Sequence, residues 1–88
     1  MYELSTLENN KYMWTIENNC LYKEFIFKDF ADAFTFMTKV AAEAERLNHH
    51  PRWTNTYNIV QIWLNTHDAG DVITDLDYHL SKAIDACL

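Results

Sequence analysis

The chain has 88 residues and a formal net charge of −6, from 7 Lys+Arg against 13 Asp+Glu. Hydrophobic types make up 49% and charged types 23%, with Gly 1 and Pro 1, which argues against a collagenous, low-complexity or disordered chain and for one domain spanning residues 1–88. The acidic balance argues against a nucleic-acid backbone as the main partner, because such binding needs clustered cations. No stretch approaches the roughly 20 apolar residues of a bilayer span.

The first residues, Met1-Tyr2-Glu3-Leu4-Ser5, are neither basic nor followed by an apolar run, so no signal peptide is expected. Cys20 and Cys87 form no CxxC and no disulfide framework. They read as reduced thiols of a cytoplasmic protein. A domain this small buries only about 60–65% of its unfolded surface, so it must pack tightly or associate, and an aromatic content of 15% supplies the necessary area.

Residues 11–28 read as two strands joined by Asn18-Asn19, a pair that tolerates the left-handed angles of a type I′ turn. That turn sets Ile16 opposite Leu21 and Trp14 opposite Lys23. Phe25 and Phe27 point to the core, and Lys23 is expected near the sheet edge. A helix follows with Asp29 as N-cap and Asp32 in its first turn. Its apolar stripe is read as Phe30, Ala33, Phe34, Met37, Ala41, Ala44 and Leu47. Asn48 suits a left-handed terminator, and Pro51 biases His50 towards extended geometry.

Residues 56–66 are expected to form a long strand, with Val60, Ile62 and Leu64 on one face and Tyr57, Ile59 and Trp63 on the other. The second apolar face calls for cover by a partner or ligand. A loop from Thr66 to Ile73 holds the only glycine, Gly70. The last helix opens with a capping-box-like pair, Thr74 and Asp77, and carries Leu76, Leu80, Ala83, Ile84 and Cys87 as its stripe. Ile73 and Tyr78 have hydrophobic-staple spacing. The expected fold is α+β: an antiparallel sheet of three to four strands with two helices packed on one face, in β-β-α-β-α order, with a short extra strand possible near Arg52–Trp53.

Three of the four histidines, His49, His50 and His67, fall at junctions between elements, whereas His79 lies on the last helix towards its polar side. Neutral imidazoles accept or donate protons near neutral pH, as an acid/base pair requires. Glu45, four residues before His49, is placed to orient an imidazole, and Asp68 is placed to do the same for His67. Glu45, His49, His50 and His67 are also zinc-ligand types, but no HExxH spacing is present and no metal is expected.

Several segments carry a family resemblance. They are Phe27-Lys28-Asp29-Phe30, Ala33-Phe34, Phe36-Met37, Glu45, Asn48-His49-His50-Pro51, Trp53, Asn55, Tyr57-Asn58, Val60, Thr66-His67-Asp68-Ala69-Gly70, then Thr74, Leu76-Asp77 and Leu80. In this order, across residues 12–86, they resemble the pterin-4a-carbinolamine dehydratase family. The resemblance implies dehydration of 4a-hydroxytetrahydropterin to quinonoid dihydropterin in tetrahydropterin recycling, with no metal or organic cofactor. It implies His49, His50 and His67 as catalytic residues, His49 and His67 being the acid/base pair. It makes Pro51, Thr66, Asp68 and Ala69 part of the pterin site, with Glu45, Trp53, Trp14 and Asp77 in support, core packing being the other reading of both tryptophans.

One departure stands out. Where the family has Gly-Gly-Leu-Thr after His-Asp-Ala, this chain has Gly70-Asp71-Val72-Ile73-Thr74, so the loop is expected to be reshaped without touching the three histidines. The resemblance further implies a homodimer or homotetramer and a link to aromatic amino acid hydroxylation. It leaves an alternative open: a non-catalytic dimerisation or interaction module serving a transcription factor or other partner. No membrane or direct nucleic-acid contact is expected.

Overall fold

Asn18 and Asn19 reverse the chain with φ of 52° and 63°, the positive values that a type I′ connection demands. They join β1 (Thr15–Glu17) to β2 (Cys20–Ile26) in the expected register, Ile16 opposite Leu21. The structure is a computed structural model in which residues 13–88 are described. The reading of Met1–Ser5, and positions 11 and 12 of the expected first strand, lie outside the described residues.

Helix α1 (Phe30–Leu47) starts at Asp29, whose side chain accepts a hydrogen bond from the Asp32 amide at 2.8 Å, and its buried residues are Ala33, Phe36, Val40 and Ala44. The expected stripe is therefore rotated. Phe30 and Phe34 are 49% and 53% exposed, Ala41 is exposed, and Phe36 and Val40 take their place inside. Each residue turns the helix by about 100°, so both sets satisfy helical spacing. The phase is chosen by the sheet, where Phe36 meets the rings of Phe25 and Phe27 at 4.8 and 4.9 Å.

The expected strand over 56–66 is replaced by a hairpin of β3 (Arg52–Thr56) and β4 (Ile59–Leu64). The element order is thus β-β-α-β-β-α, and the extra strand spans five residues. Tyr57, with φ of 52°, sits in a two-residue turn rather than on a strand face. That angle is unfavourable for a bulky side chain. The Asn55 side chain secures the turn by donating to the carbonyls of Tyr57 and Ile59 at 3.1 and 3.0 Å.

The four strands form one antiparallel sheet in the order β1-β2-β4-β3. Leu21, Phe25, Val60, Ile62 and Leu64 face α1 and α2 (Asp75–Asp85), with Leu80 and Ile84 of α2 completing the core. Both helices cover that face. On the other, Trp63 contacts the Tyr22 ring at 5.2 Å, and the Gln61 amide donates to the Tyr22 hydroxyl at 3.0 Å.

Lys23 is not near an edge. It lies in the interior strand β2, opposite Ile62 and 1% exposed. Its Nζ donates to Asp85 Oδ1 at 2.8 Å and lies 5.0 Å from the Phe25 ring centroid. A buried ammonium requires such a carboxylate. No helix among the described residues is long and apolar enough to cross a membrane.

Candidate active site

Helix α1 ends because Asn48 adopts the left-handed conformation, φ 52° and ψ 43°, while the His49 amide reaches back to the Ala44 carbonyl at 3.0 Å. This is a helix stop in which asparagine replaces the usual glycine. It turns His49 and His50 out of the helix, and Pro51 leads the chain into β3. At the far end of β4, Thr66 pairs with Val72 across a short loop. The loop carries a single 3-10 turn, His67–Ala69, and closes at Gly70 with φ of 95°, a conformation natural only to glycine.

These junctions meet at one end of the sheet. His49, His50 and His67 line a single cleft of about 280 Å³ together with Asn48, Asn65, Thr66, Asp68 and Leu76. A second cleft of about 390 Å³ adjoins it and shares His50, Asn65 and His67, adding Cys20, Pro51, Arg52, Trp63 and Asp71.

Each of the three imidazoles is held by its own carboxylate. His49 Nε2 donates to Asp77 Oδ1 at 2.6 Å. His50 Nε2 donates to Glu45 Oε2 at 2.5 Å, and His67 Nδ1 donates to Asp71 Oδ1 at 2.9 Å. A carboxylate facing one ring nitrogen keeps the proton there and leaves the other nitrogen as the acceptor. In the neutral form of each ring the remaining acceptor is therefore Nδ1 on His49 and His50 and Nε2 on His67, and in protonated His67 that Nε2 becomes the donor.

The pairs differ in burial. The His49 and Asp77 side chains are 11% and 0% exposed, whereas those of His67 and Asp71 are 88% and 64% exposed. Asp77 is fixed from further directions. Its Oδ2 accepts from the Thr66 hydroxyl at 2.8 Å and the Thr74 amide at 2.9 Å, the second contact being part of a capping box. The Thr74 hydroxyl in turn donates to Thr66 Oγ1 at 2.6 Å. A buried carboxylate with several donors is held in one orientation. For His67, the hydrogen bond to Asp71, the Asp71 charge and the Asp68 charge together raise the imidazole above its ordinary pKa of 6.5.

Asp77 is thus both the helix cap expected from its capping-box spacing and the carboxylate that holds the His49 imidazole. Glu45 holds an imidazole, that of His50, while the left-handed Asn48 turns His49 towards α2 and Asp77. Asp68 lines the cleft, but Asp71 makes the hydrogen bond to His67. The departure Gly70-Asp71-Val72-Ile73-Thr74 therefore does reach a histidine, contrary to expectation. The signal for Asp71 is its spacing, a carboxylate four residues after His67 in a tight loop.

Two tryptophans stand elsewhere. Trp14 donates Nε1 to the Asp85 carboxylate at 3.1 and 3.2 Å and meets the Phe25 ring edge-on at 5.9 Å. Asp85 lies eight residues along α2 from Asp77, about 12 Å at the helical rise, so Trp14 is away from the cleft mouth. Trp53 packs against the core and lines neither cleft, and Ala69 is exposed on the 3-10 turn outside both linings. Among the described residues, no group of three or more His, Cys, Asp or Glu side chains is arranged to hold a metal ion.

Residues 2–87 match the family described as Pterin 4 alpha carbinolamine dehydratase. The chain is 49% identical over 84 residues to a protein of Synechococcus sp. (strain WH7803) named "Putative pterin-4-alpha-carbinolamine dehydratase", covering 96% of this chain and 89% of that one. A protein of the same name from Solibacter usitatus (strain Ellin6076) is 45% identical over 84 residues, covering 96% and 87%. Among solved structures, a transcriptional coactivator/pterin dehydratase from Brucella Melitensis superposes with a TM-score of 0.82 at 34% identity, covering 98% of both chains. A pterin dehydratase-like protein identified as a RuBisCO assembly factor in the alpha-carboxysome shares the fold, with a TM-score of 0.74 at 22% identity over 89% of this chain and 92% of that one. The chain belongs to the pterin-4-alpha-carbinolamine dehydratase family.

Proposed function

We propose that this chain is a hydro-lyase that converts 4a-hydroxytetrahydropterin to quinonoid dihydropterin, with no metal or organic cofactor. The observation that carries the reading is the convergence of His49, His50 and His67 on one cleft, each with a carboxylate fixing its tautomer. Dehydration needs a base for the N5 proton and an acid for the departing hydroxyl.

In this reading Nδ1 of His49 takes the N5 proton, its Nε2–H being committed to Asp77. The N5–H electron pair forms the N5=C4a double bond as the C4a–O bond breaks. His67, biased towards its protonated form by Asp71 and Asp68, delivers its proton to the hydroxyl, which leaves as water. His50 binds the ring and stabilises the polarised intermediate. Thr66, Asp68 and Pro51 shape the surroundings.

The test is rapid mixing of the protein with freshly generated 4a-carbinolamine, followed by ultraviolet absorbance. The wild type accelerates dehydration, and His49→Ala or His67→Ala lowers the acceleration by about a hundredfold, the scale of one general acid or base. No acceleration at micromolar protein overturns the reading. Cytoplasmic tetrahydropterin recycling beside an aromatic amino acid hydroxylase, and assembly as homodimer or homotetramer, go with it. A solution mass of one chain removes the oligomer.

A second reading, an interaction module for a partner protein, is favoured by Phe30 and Phe34. Their rings lie 5.7 Å apart, and both residues are about half exposed on the outer side of α1. The coactivator in the Brucella protein's description points the same way. Full cellular function in a His49→Ala/His67→Ala double variant favours the module over the enzyme.

A further inference from the structure

The second cleft is not needed for the acid/base chemistry, yet it opens from the first through His50, Asn65 and His67. The two clefts are continuous there. A bicyclic ring seated in the first cleft with its C6 edge, next to the reacting N5, turned towards His50 and His67 carries its C6 substituent into the second.

Charge distinguishes that second cleft. Its His50 is bonded to Glu45, and its His67 is bonded to Asp71. Arg52 differs: among the described residues it has no ion-pair partner within 4.0 Å, and its guanidinium carbon lies 4.3 Å from the Trp63 ring centroid. The indole is itself tethered, Nε1 donating to Glu17 Oε1 at 3.2 Å, and packs on Tyr22 from the neighbouring strand. A guanidinium over an indole keeps its N–H donors available at its rim, and that planar fork suits two-pronged recognition of a carboxylate or phosphate. Among the described residues Arg52 is the one permanent cation lining that cleft, which it shares with Asp71.

We infer that Arg52, stacked on Trp63, is a specificity-determining residue that binds an anionic group, carboxylate or phosphate, on the C6 substituent of the pterin. This rests on the proposed dehydratase reading, since it takes the first cleft as the ring site.

The test is calorimetric binding of stable oxidised pterins to the full chain. Pterin-6-carboxylate is compared with 6-hydroxymethylpterin, and neopterin phosphate with neopterin, which separates the two anion sources. At least one anionic member of these pairs binds about fivefold more tightly than its neutral counterpart, the scale of one partly exposed charge pair. Arg52→Gln removes that preference while leaving the neutral ligands unchanged, and Arg52→Lys restores part of it. Equal affinity within both pairs, or an equal loss for charged and neutral pterins in Arg52→Gln, overturns the inference while leaving the dehydratase reading intact. Absence of binding by every pterin, together with no dehydration in the mixing assay, overturns both.

Discussion

His49 Nε2 and Asp77 Oδ1 are 2.6 Å apart although 28 residues separate them in the chain. The contact joins the end of α1 to the first turn of α2, so a single hydrogen bond spans the two elements that flank the cleft. The same carboxylate also caps α2 and holds Thr66, which makes it a positioning residue for the proposed base.

Replacing Asp77 therefore affects folding and turnover differently according to the substitution. Asp77→Ala leaves the Thr74 amide and the His49 Nε2–H without their buried acceptor, and urea unfolding should show a loss of about 2–4 kcal/mol. Asp77→Asn keeps an acceptor for the cap but no longer stabilises an imidazolium. It should remain folded while kcat falls more than tenfold with KM little changed. A parallel rise in KM would point to disturbed binding instead.

His67 carries a pH prediction with a definite sign. Asp71 and Asp68 favour its charged form, so the folded-state pKa lies above 6.5 and deprotonation occurs later as pH rises. The proposed acid then persists to higher pH than an ordinary imidazole would, and activity declines on the alkaline side as His67 loses its proton. In Asp71→Asn the imidazole resonance should titrate at lower pH by NMR, and the alkaline limb of kcat should move in the same direction. An unmoved titration would show that Asp71 does not govern the ring.

Lys23 and Asp85 form a pair in which the ammonium is buried and the carboxylate is 37% exposed in its side chain. Asp85→Ala takes a carboxylate from a desolvated cation and should cost about 3 kcal/mol in denaturant unfolding. Lys23→Met replaces the cation with an apolar side chain of similar length and should cost less. Neither substitution touches the cleft, so specific activity of the folded fraction should be retained in both.

Phe36 and Phe34 test the phase of α1. Phe36→Ala, at a position 3% exposed, should lower stability by about 3–5 kcal/mol. Phe34→Ala, at 53% exposure, should fall within about 1 kcal/mol. Thermal melts of the two variants distinguish the observed packing from the rotated stripe.

What can be read from the chain, and what cannot, divides along physical lines. The Asn18-Asn19 turn, the Asp29 cap and the Asn48 stop are local chemistry, each decided by a side chain and its own backbone. All three are where the residues indicate. The phase of α1 and the place of Lys23 depend on which strand lies against which, and periodicity alone carries no such information. The β3-β4 hairpin is masked in the sequence because its turn contains Tyr57 and no glycine, so its residues read as a strand. At the cleft the histidines are legible from type and position. Their carboxylates are legible only in part, because Asp77 approaches from 28 residues away and Asp71 belongs to the stretch that departs from the family pattern.

The reciprocal cap at Thr74 and Asp77 has a thermal corollary. The first turn of a helix is where fraying begins, and here that turn is also the mooring of an imidazole. Any excursion that unwinds it releases His49 without melting the core around Leu80 and Ile84. Warming should thus dull the proposed chemistry some degrees before the protein as a whole comes apart.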